Sequence, residues 1–330
     1  MRSISSYDAL ENLGRVRLSK NFFMRDFLYS EISNYYKIPN IPENPDLAIE
    51  VGKHLCEDLL EPLQEAFGRI TIRSAYRSPA VNQFGNEHDH NCGSNENNRA
   101  GHIWDWRDKD GCIGGTVCIA VNWYLDHYEQ TGDFRPLAWW IHDHLPYSSL
   151  CFFPKLCAFN ITWGENPSRS ISSYIAPHRG YLTHAEMDNF LGNHREHYSG
   201  FPTLKTGLTV DDYRRALEAI APDLTEGQRA MLKAQSHAPN RTITASQLAE
   251  AACYEGYQGA NIQYAKVGQK VANFLGYEPP QTERNGQPFW SWVLADGDWR
   301  RKDDSSQQNW YWVMHPQVIA ALPLTSWFEV

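Results

Sequence analysis

The 330-residue chain has no apolar run approaching the roughly 18 residues that cross a bilayer, so no membrane partner is expected. Its opening, MRSISSYDALENLGRVRLSK, lacks the apolar centre of a secretory signal, and a cytoplasmic protein is the expectation. An excess of positive charge is also missing. The net charge is −9, which excludes a general cationic attraction to nucleic acid, so any DNA contact must rest on a local basic patch. There is no even, regularly spaced cysteine set. The seven cysteines (Cys56, Cys92, Cys112, Cys118, Cys151, Cys157 and Cys253) are odd in number, and the chain is long enough to fold without staples. Reduced thiols are expected. No segment repeats another.

What the chain does have is enough apolar sequence, 42%, for a packed core, and a length that suits two domains. Twelve Trp and 17 Tyr stand out, because such rings fill cores and also stack on bases or sugars. Ser19 is a plausible cap for a helix carrying Phe22, Phe23, Phe27 and Leu28. Leu47–Phe67 reads as a long amphipathic helix with Ile49, Val51, Leu55, Leu59, Leu60 and Leu63 on its buried stripe, ended by Gly68. A short strand over Ile70–Ile72 follows. Thr116–Tyr128 is apolar and reads as strand or helix. Tyr147–Phe153 and Leu156–Trp163 alternate as paired strands do. Glu165–Gly207 is rich in Pro, Gly, His and Ser and reads as a tail and linker.

Composition then changes. Val210–Ile220, Thr225–Gln235, Thr244–Cys253 and Ala260–Leu275 read as helices, two of them Thr-capped, and Gly276 stops the last. Phe289–Leu294 and Trp310–Met314 read as two aromatic strands. Helices followed by a two-stranded hairpin is the order of a winged helix-turn-helix. The expected organisation is a catalytic domain over residues 1–180, a linker over 181–207 and a DNA-binding domain over 208–330. The fold class is α+β, with a small antiparallel sheet in the first domain.

The stretch that organises the first part is Asn91–Trp106, NCGSNENNRAGHIWDW. It is a polar, glycine-bearing loop that closes on His102 and Asp105 among Ile103, Trp104 and Trp106. A carboxylate set among aromatic rings must be solvated, paired or put to use. A second polar cluster, His142-Asp143-His144, follows the Trp139–Trp140 pair.

Residues 19–163 resemble the D-alanyl-D-alanine carboxypeptidase family of zinc peptidases. SKNFFMRDFLYS is similar to the family's opening segment. LLEPLQEAFG with ITIRSAYRSPAVN is similar to its helix, strand and Ser-Gly-Tyr-Arg-Ser turn. AGHIWD is similar to the end of its Ser-x-His-x-x-Gly-x-Ala-x-Asp zinc motif, and AFNITW to its final Trp-x-His strand. The resemblance implies the family's fold for this part. It also puts Glu96 at the family's Ser, Asn98 at the first zinc-binding His and Asn160 at the last. Only Asp105 keeps a ligand type, and amides are poor ligands for zinc. The family's general-base Glu falls near Phe153–Pro154, where no acid stands. A zinc-peptidase mechanism is therefore not expected, and no metal or other cofactor is assigned. Replacement zinc sets remain conceivable from His88, His90, Cys92 and Cys112, or from His102, Asp105 and His142.

TEGQRAMLKAQSHAPNRTITASQLAEAACYEGYQGANIQYAKVGQKVANFLGY is similar to a helical module that accompanies HNH endonucleases and other restriction or phage-defence proteins. Gln263, Lys266 and Lys270 share a helix face, and Arg300, Arg301 and Lys302 sit on the expected wing, which together make a candidate basic patch.

If Asn98, His102, Asp105 and Asn160 converge in the former zinc cleft, with His142 beside them, the set suits a hydrolysis that needs no metal. Asp105 would polarise a water or support an oxocarbenium-like transition state, the amides would orient that water, and a His would donate to the leaving group. Tyr76, Trp104, Trp106 and Trp140 are candidate stacking surfaces for an extruded nucleotide, and Arg77 would hold a phosphate. The expected function is a DNA glycosylase acting on modified double-stranded phage DNA. The alternatives are a zinc peptidase with shifted ligands and a catalytically inactive binding protein.

Overall fold

The apolar spacing of residues 45–67 does build one long helical segment in the computed structural model, which describes residues 4–282, 286–298 and 310–328. It divides into α-helical ends with a π-helical turn over Leu55–Leu60 between them. Leu55, Leu59, Leu60 and Leu63 are all fully buried. Gly68, at φ +74°, releases the chain into the first strand.

The chain falls into two units, Met1–His142 with Pro146–Pro202, and Asp143–Leu145 with Thr203–Val330. In the first, helices α1 (Tyr7–Gly14), α2 (Glu31–Tyr36), α3 (Pro45–His54) and α4 (Glu61–Phe67) precede strand β1 (Ile70–Ser74). Helix α5 (Pro79–Glu87) follows, then strand β2 (Gly114–Val121) and helices α6 (Asn122–Thr131) and α7 (Arg135–His144). Strands β3 (Ser149–Phe152), β4 (Phe159–Gly164), β5 (Ser170–Ser173) and β6 (Gly180–Thr183) complete it. The six strands form one mixed sheet in the order β1-β2-β4-β3-β5-β6, parallel only between β3 and β5.

Strand alternation gives this sheet two unlike faces. Val117, Ile119, Phe159, Ile161, Leu150, Phe152 and Ile171 point to one side and are buried. The π-turn packs against β4 and α3 against β2. On the other side one register row runs Ser74, Cys118, Asn160, Cys151, Ser172, Tyr181, polar throughout and at least partly exposed.

The second unit contains α8 (Val210–Ile220), α9 (Glu226–Ser236), strand β7 (Thr242–Thr244), α10 (Ala245–Ala251) and α11 (Tyr257–Leu275). Strands β8 (Ala295–Asp298) and β9 (Tyr311–Met314) and helix α12 (Pro316–Ala321) follow. Helices α8, α9 and α10 open on capping boxes, Thr209 with Asp212, Thr225 with Gln228 and Thr244 with Gln247. The strands form an antiparallel sheet in the order β7-β9-β8.

The expected small antiparallel sheet is six-stranded and mixed instead, three further expectations are corrected, and one open reading, Thr116–Tyr128, is settled. Ser19 caps no helix; its hydroxyl donates to Glu61 Oε1 at 2.6 Å, and only Met24–Phe27 makes a 3-10 turn nearby. Thr116–Tyr128 is both strand and helix, split at Val121/Asn122. The Ser- and Pro-rich stretch read as tail contributes β5 and β6, in which Ile171 is the buried apolar side chain. Phe289–Leu294 is not a strand; Trp290–Val293 is a 3-10 turn pressed on α11 at Gly268. A Cβ at Gly268 would lie 2.0 Å from the Trp290 carbonyl oxygen, so this close crossing is open only to glycine.

Candidate functional site

The Asn- and Gly-rich loop before β2 is ordered by its own backbone and by its neighbours. The Asn98 carbonyl accepts from the N–H groups of Gly101 and Ile103, both at 3.0 Å. Gly101 O accepts from Thr116 N of β2 at 2.9 Å, and His102 O accepts from Arg77 N at 2.8 Å. Trp104 then enters the core and donates from its indole to Thr116 O at 3.0 Å. The loop is thus laid beside β2 where β1 has diverged, which puts His102 next to the Ala75-Tyr76-Arg77 turn.

Asp105 is 5% exposed. Its Oδ2 accepts from the backbone N–H of Glu43 at 2.7 Å and of Asn44, the cap of α3, at 3.1 Å. Burial raises its pKa above the ordinary carboxylate range, and the two amides and the Tyr76 hydroxyl offset part of that rise. Burial and the adjacent carboxylate likewise raise the Tyr76 phenol. Oδ1 and the phenol act on one another without aligned hydrogen-bond geometry. The carboxylate expected to polarise a water is instead a clamp on the start of α3. Asp105→Asn should keep the shape but weaken both amide contacts, lowering stability by about 1–3 kcal/mol in urea unfolding. An unchanged midpoint would remove the clamp from the account.

His102 is 5% exposed, and its Nδ1 faces Ala75 O at 2.8 Å. A carbonyl only accepts, so Nδ1 carries the proton and Nε2 keeps its lone pair. Burial first and the Arg77 charge second push the imidazole down to about 3, with the Ala75 carbonyl partly opposing both. It is therefore neutral at pH 7 and its one N–H is engaged, so at rest it has no free proton to donate, against the donor role expected from the sequence.

Arg77 is 9% exposed. Its Nη1 donates to Asn82 Oδ1 at 3.0 Å and to Cys92 Sγ at 2.7 Å. Its Nε is buried with no acceptor, and no carboxylate pairs with it among the described residues. Burial lowers its pKa, against the Cys92 and Cys118 thiols. Cys118 lies across β2 from Asn160 of β4, so Arg77, His102, Cys92, Cys118 and Asn160 border one region at the polar face of the sheet.

The other expected residues lie elsewhere. Asn98 donates from its amide to Ser94 O at 3.1 Å and, among the described residues, shares no partner with Asp105 or Asn160. His142 is bonded at both nitrogens, Nδ1 to the Tyr147 hydroxyl at 2.6 Å and Nε2 to Phe190 O at 2.8 Å, so the ring has no free nitrogen. Tyr76, Trp104 and Trp140 are fully enclosed and offer no face to a base. Trp140 donates to Pro202 O, and Trp104 packs on Phe27 and Tyr76. Trp106 is partly exposed, but Glu43 takes its N–H and the Arg99 guanidinium covers its ring at 4.9 Å. Neither replacement zinc set assembles: among the described residues no group of three or more His, Cys, Asp or Glu side chains could hold a metal ion. The zinc that the peptidase resemblance implies does not fit this donor set. Asn98 and Asn160 are amides, and Asp105 turns its Oδ2 to the backbone.

Sequence reading overlooks Asn82 and Cys118, and treats Cys92 only as a metal ligand. The period-2 register of β2 against β4 is the signal that could have found Cys118 beside Asn160.

In the second unit, Gln263 accepts from Gln228 Nε2 at 3.0 Å, and Lys270 Nζ donates to Asp223 O at 2.5 Å. Both therefore tie α11 to the start of α9, and Lys266 of that helical trio is exposed and makes no such bond among the described residues. Arg300, Arg301 and Lys302 lie outside the described residues. No helix among the described residues is long and apolar enough to cross a membrane. Comparison with protein-family models, curated proteins and solved structures gives no match.

Proposed function

We propose that the chain is a DNA-directed hydrolase, with a DD-peptidase-like first unit that works without zinc and a winged-helix-like second unit that docks DNA. The specific reaction is excision of a modified base from phage DNA by cleavage of its N-glycosidic bond. The observation that carries the reading is Arg77, a buried guanidinium with, among the described residues, no acceptor at Nε and no carboxylate, beside a neutral imidazole. A buried charge left without a counter-ion costs several kcal/mol, so its retention fits an anion supplied by a ligand. A DNA phosphate is such an anion, and guanidinium geometry suits it. Glycosidic cleavage needs no cluster of metal-binding carboxylates, which phosphodiester cutting usually requires. For the second unit, support comes from the helix pair α10–α11 followed by the β8–β9 hairpin, with β7 as third strand.

Full-length protein incubated with modified phage DNA should generate abasic sites, scored with an aldehyde-reactive probe, and unmodified DNA should not. Folded protein that leaves no abasic sites on any modified DNA refutes the glycosylase reading. The same guanidinium would also accept a peptide carboxylate, which supports a second reading, an inactive binding module. Binding of D-alanyl-D-alanine in place of DNA would favour it.

A further inference from the structure

We propose that Nε2 of His102 is the proton acceptor of the Arg77 site, and that an anion bound by the guanidinium brings it into action. The inference rests on the anion-binding reading of Arg77 and assigns the base that reading leaves open. Three geometric facts carry it. The Ala75 carbonyl fixes the proton on Nδ1 at 2.8 Å. Nε2 makes no hydrogen bond among the described residues, although the ring is 5% exposed. The His102 carbonyl is bonded to the Arg77 amide at 2.8 Å, which keeps imidazole and guanidinium on adjacent backbone.

In the reaction, Nε2 takes one proton from a water as that water's oxygen bonds to the sugar's anomeric carbon. The carbon–nitrogen bond breaks, the base leaves with the electron pair, and the proton on Nε2 passes to it. Water is the only co-reactant. Such a base works best when its proton affinity is near the operating pH, and burial first, with the uncompensated guanidinium second, holds it below that. A bound anion offsets the guanidinium charge and lifts that part of the restraint, while the part due to burial stays, so base strength rises with occupancy.

The surroundings leave Arg77 as the charge acting on the ring. Cys92 from the loop and Cys118 from β2 face Arg77, while Arg73 from β1 and Cys151 from β3 act on Cys118. Asp105 and Glu43 act on Tyr76.

The test is long-range ¹H–¹⁵N NMR of the full-length chain from pH 4 to 8, with sulfate as the probe because its charge is constant over this range. The His102 signal is assigned by its loss in His102→Gln. Without sulfate the ring should stay neutral, protonated on Nδ1, to the acid end of the range. With saturating sulfate its titration midpoint should rise by about one pH unit or more. Arg77→Gln should raise the midpoint without sulfate and abolish the response to it, and Arg77→Lys should preserve the response. If the Arg77 Nε resonance moves with sulfate while His102 does not, this inference is overturned and the anion site stands. If neither moves, both are overturned.

Discussion

Arg77→Gln is expected to weaken binding of an anion-bearing DNA ligand about 10- to 100-fold while leaving the fold as stable as before, or more so. The two halves of that expectation come from the same fact. A hydrogen bond to a charged group contributes about 1.5–3 kcal/mol, and each 1.4 kcal/mol is a tenfold change in affinity. The Gln amide can still reach toward Asn82 and Cys92 but brings no charge for a phosphate. In the free protein, however, the guanidinium is buried without a carboxylate among the described residues, and a neutral group there removes a desolvation penalty. Fluorescence anisotropy with a labelled modified oligonucleotide at fixed salt gives the affinity, and urea unfolding gives the stability. A variant that unfolds earlier yet binds DNA equally well would make Arg77 an ordinary structural residue.

Both units are expected to lose stability steeply as the pH falls below about 6.5, each through one buried histidine. His102 in the first unit is pushed down to about 3. His315 in the second is pushed down to about 4, mainly by burial, with its Nε2 donating to Trp292 O at 2.7 Å. The ordinary imidazole value is 6.5. Folded values lie below unfolded ones, so on acidification the unfolded chain binds the proton first. The stability held above pH 6.5 is therefore lost progressively as pH drops toward the folded values. At 1.36 kcal/mol per pH unit the limiting losses are about 4–5 kcal/mol for His102 and about 3 kcal/mol for His315. Asp105 acts in the opposite sense, because its folded pKa is raised and its own titration favours the folded state in acid. The net slope for the first unit is smaller than the His102 figure alone. Urea unfolding at pH 7 and pH 5 measures the loss, and His102→Gln should flatten it in the first unit only. Equal stability at both pH values would show that neither ring is held neutral.

The parts of the fold legible in the sequence are those decided by local chemistry. The stripe through Leu55, Leu59, Leu60 and Leu63 and the caps Thr225 and Thr244 announce their helices within a few residues. The alternation of β3 and β4 announces a strand pair, and the register confirms it. What could not be read depends on partners far along the chain. Residues 170–173 become a strand because β3 supplies a parallel neighbour, not because SISS favours one. Trp290–Val293 coils because Gly268 admits it against α11.

The site divides the same way. Asp105 and His102 stand out in sequence as polar residues among aromatics, and both are buried as such residues must be when partnered. Their partners, the amides of residues 43 and 44 and the Ala75 carbonyl, are backbone atoms with no sequence signature. The tryptophans mislead for a related reason. An indole has the same composition whether it lines a cleft or fills a core, and Trp104 and Trp140 fill the core.

The central claim is that the Arg77 guanidinium is held in readiness for an anion. Soaking crystals of the full-length chain with selenate and locating the selenium by anomalous diffraction tests it most directly. A selenium peak within hydrogen-bonding reach of Arg77 Nε and adjacent to His102 Nε2, absent from Arg77→Gln crystals, is the predicted result. Well-ordered crystals with no selenium near Arg77, or a metal ion held beside Asp105 and Asn160, would contradict it.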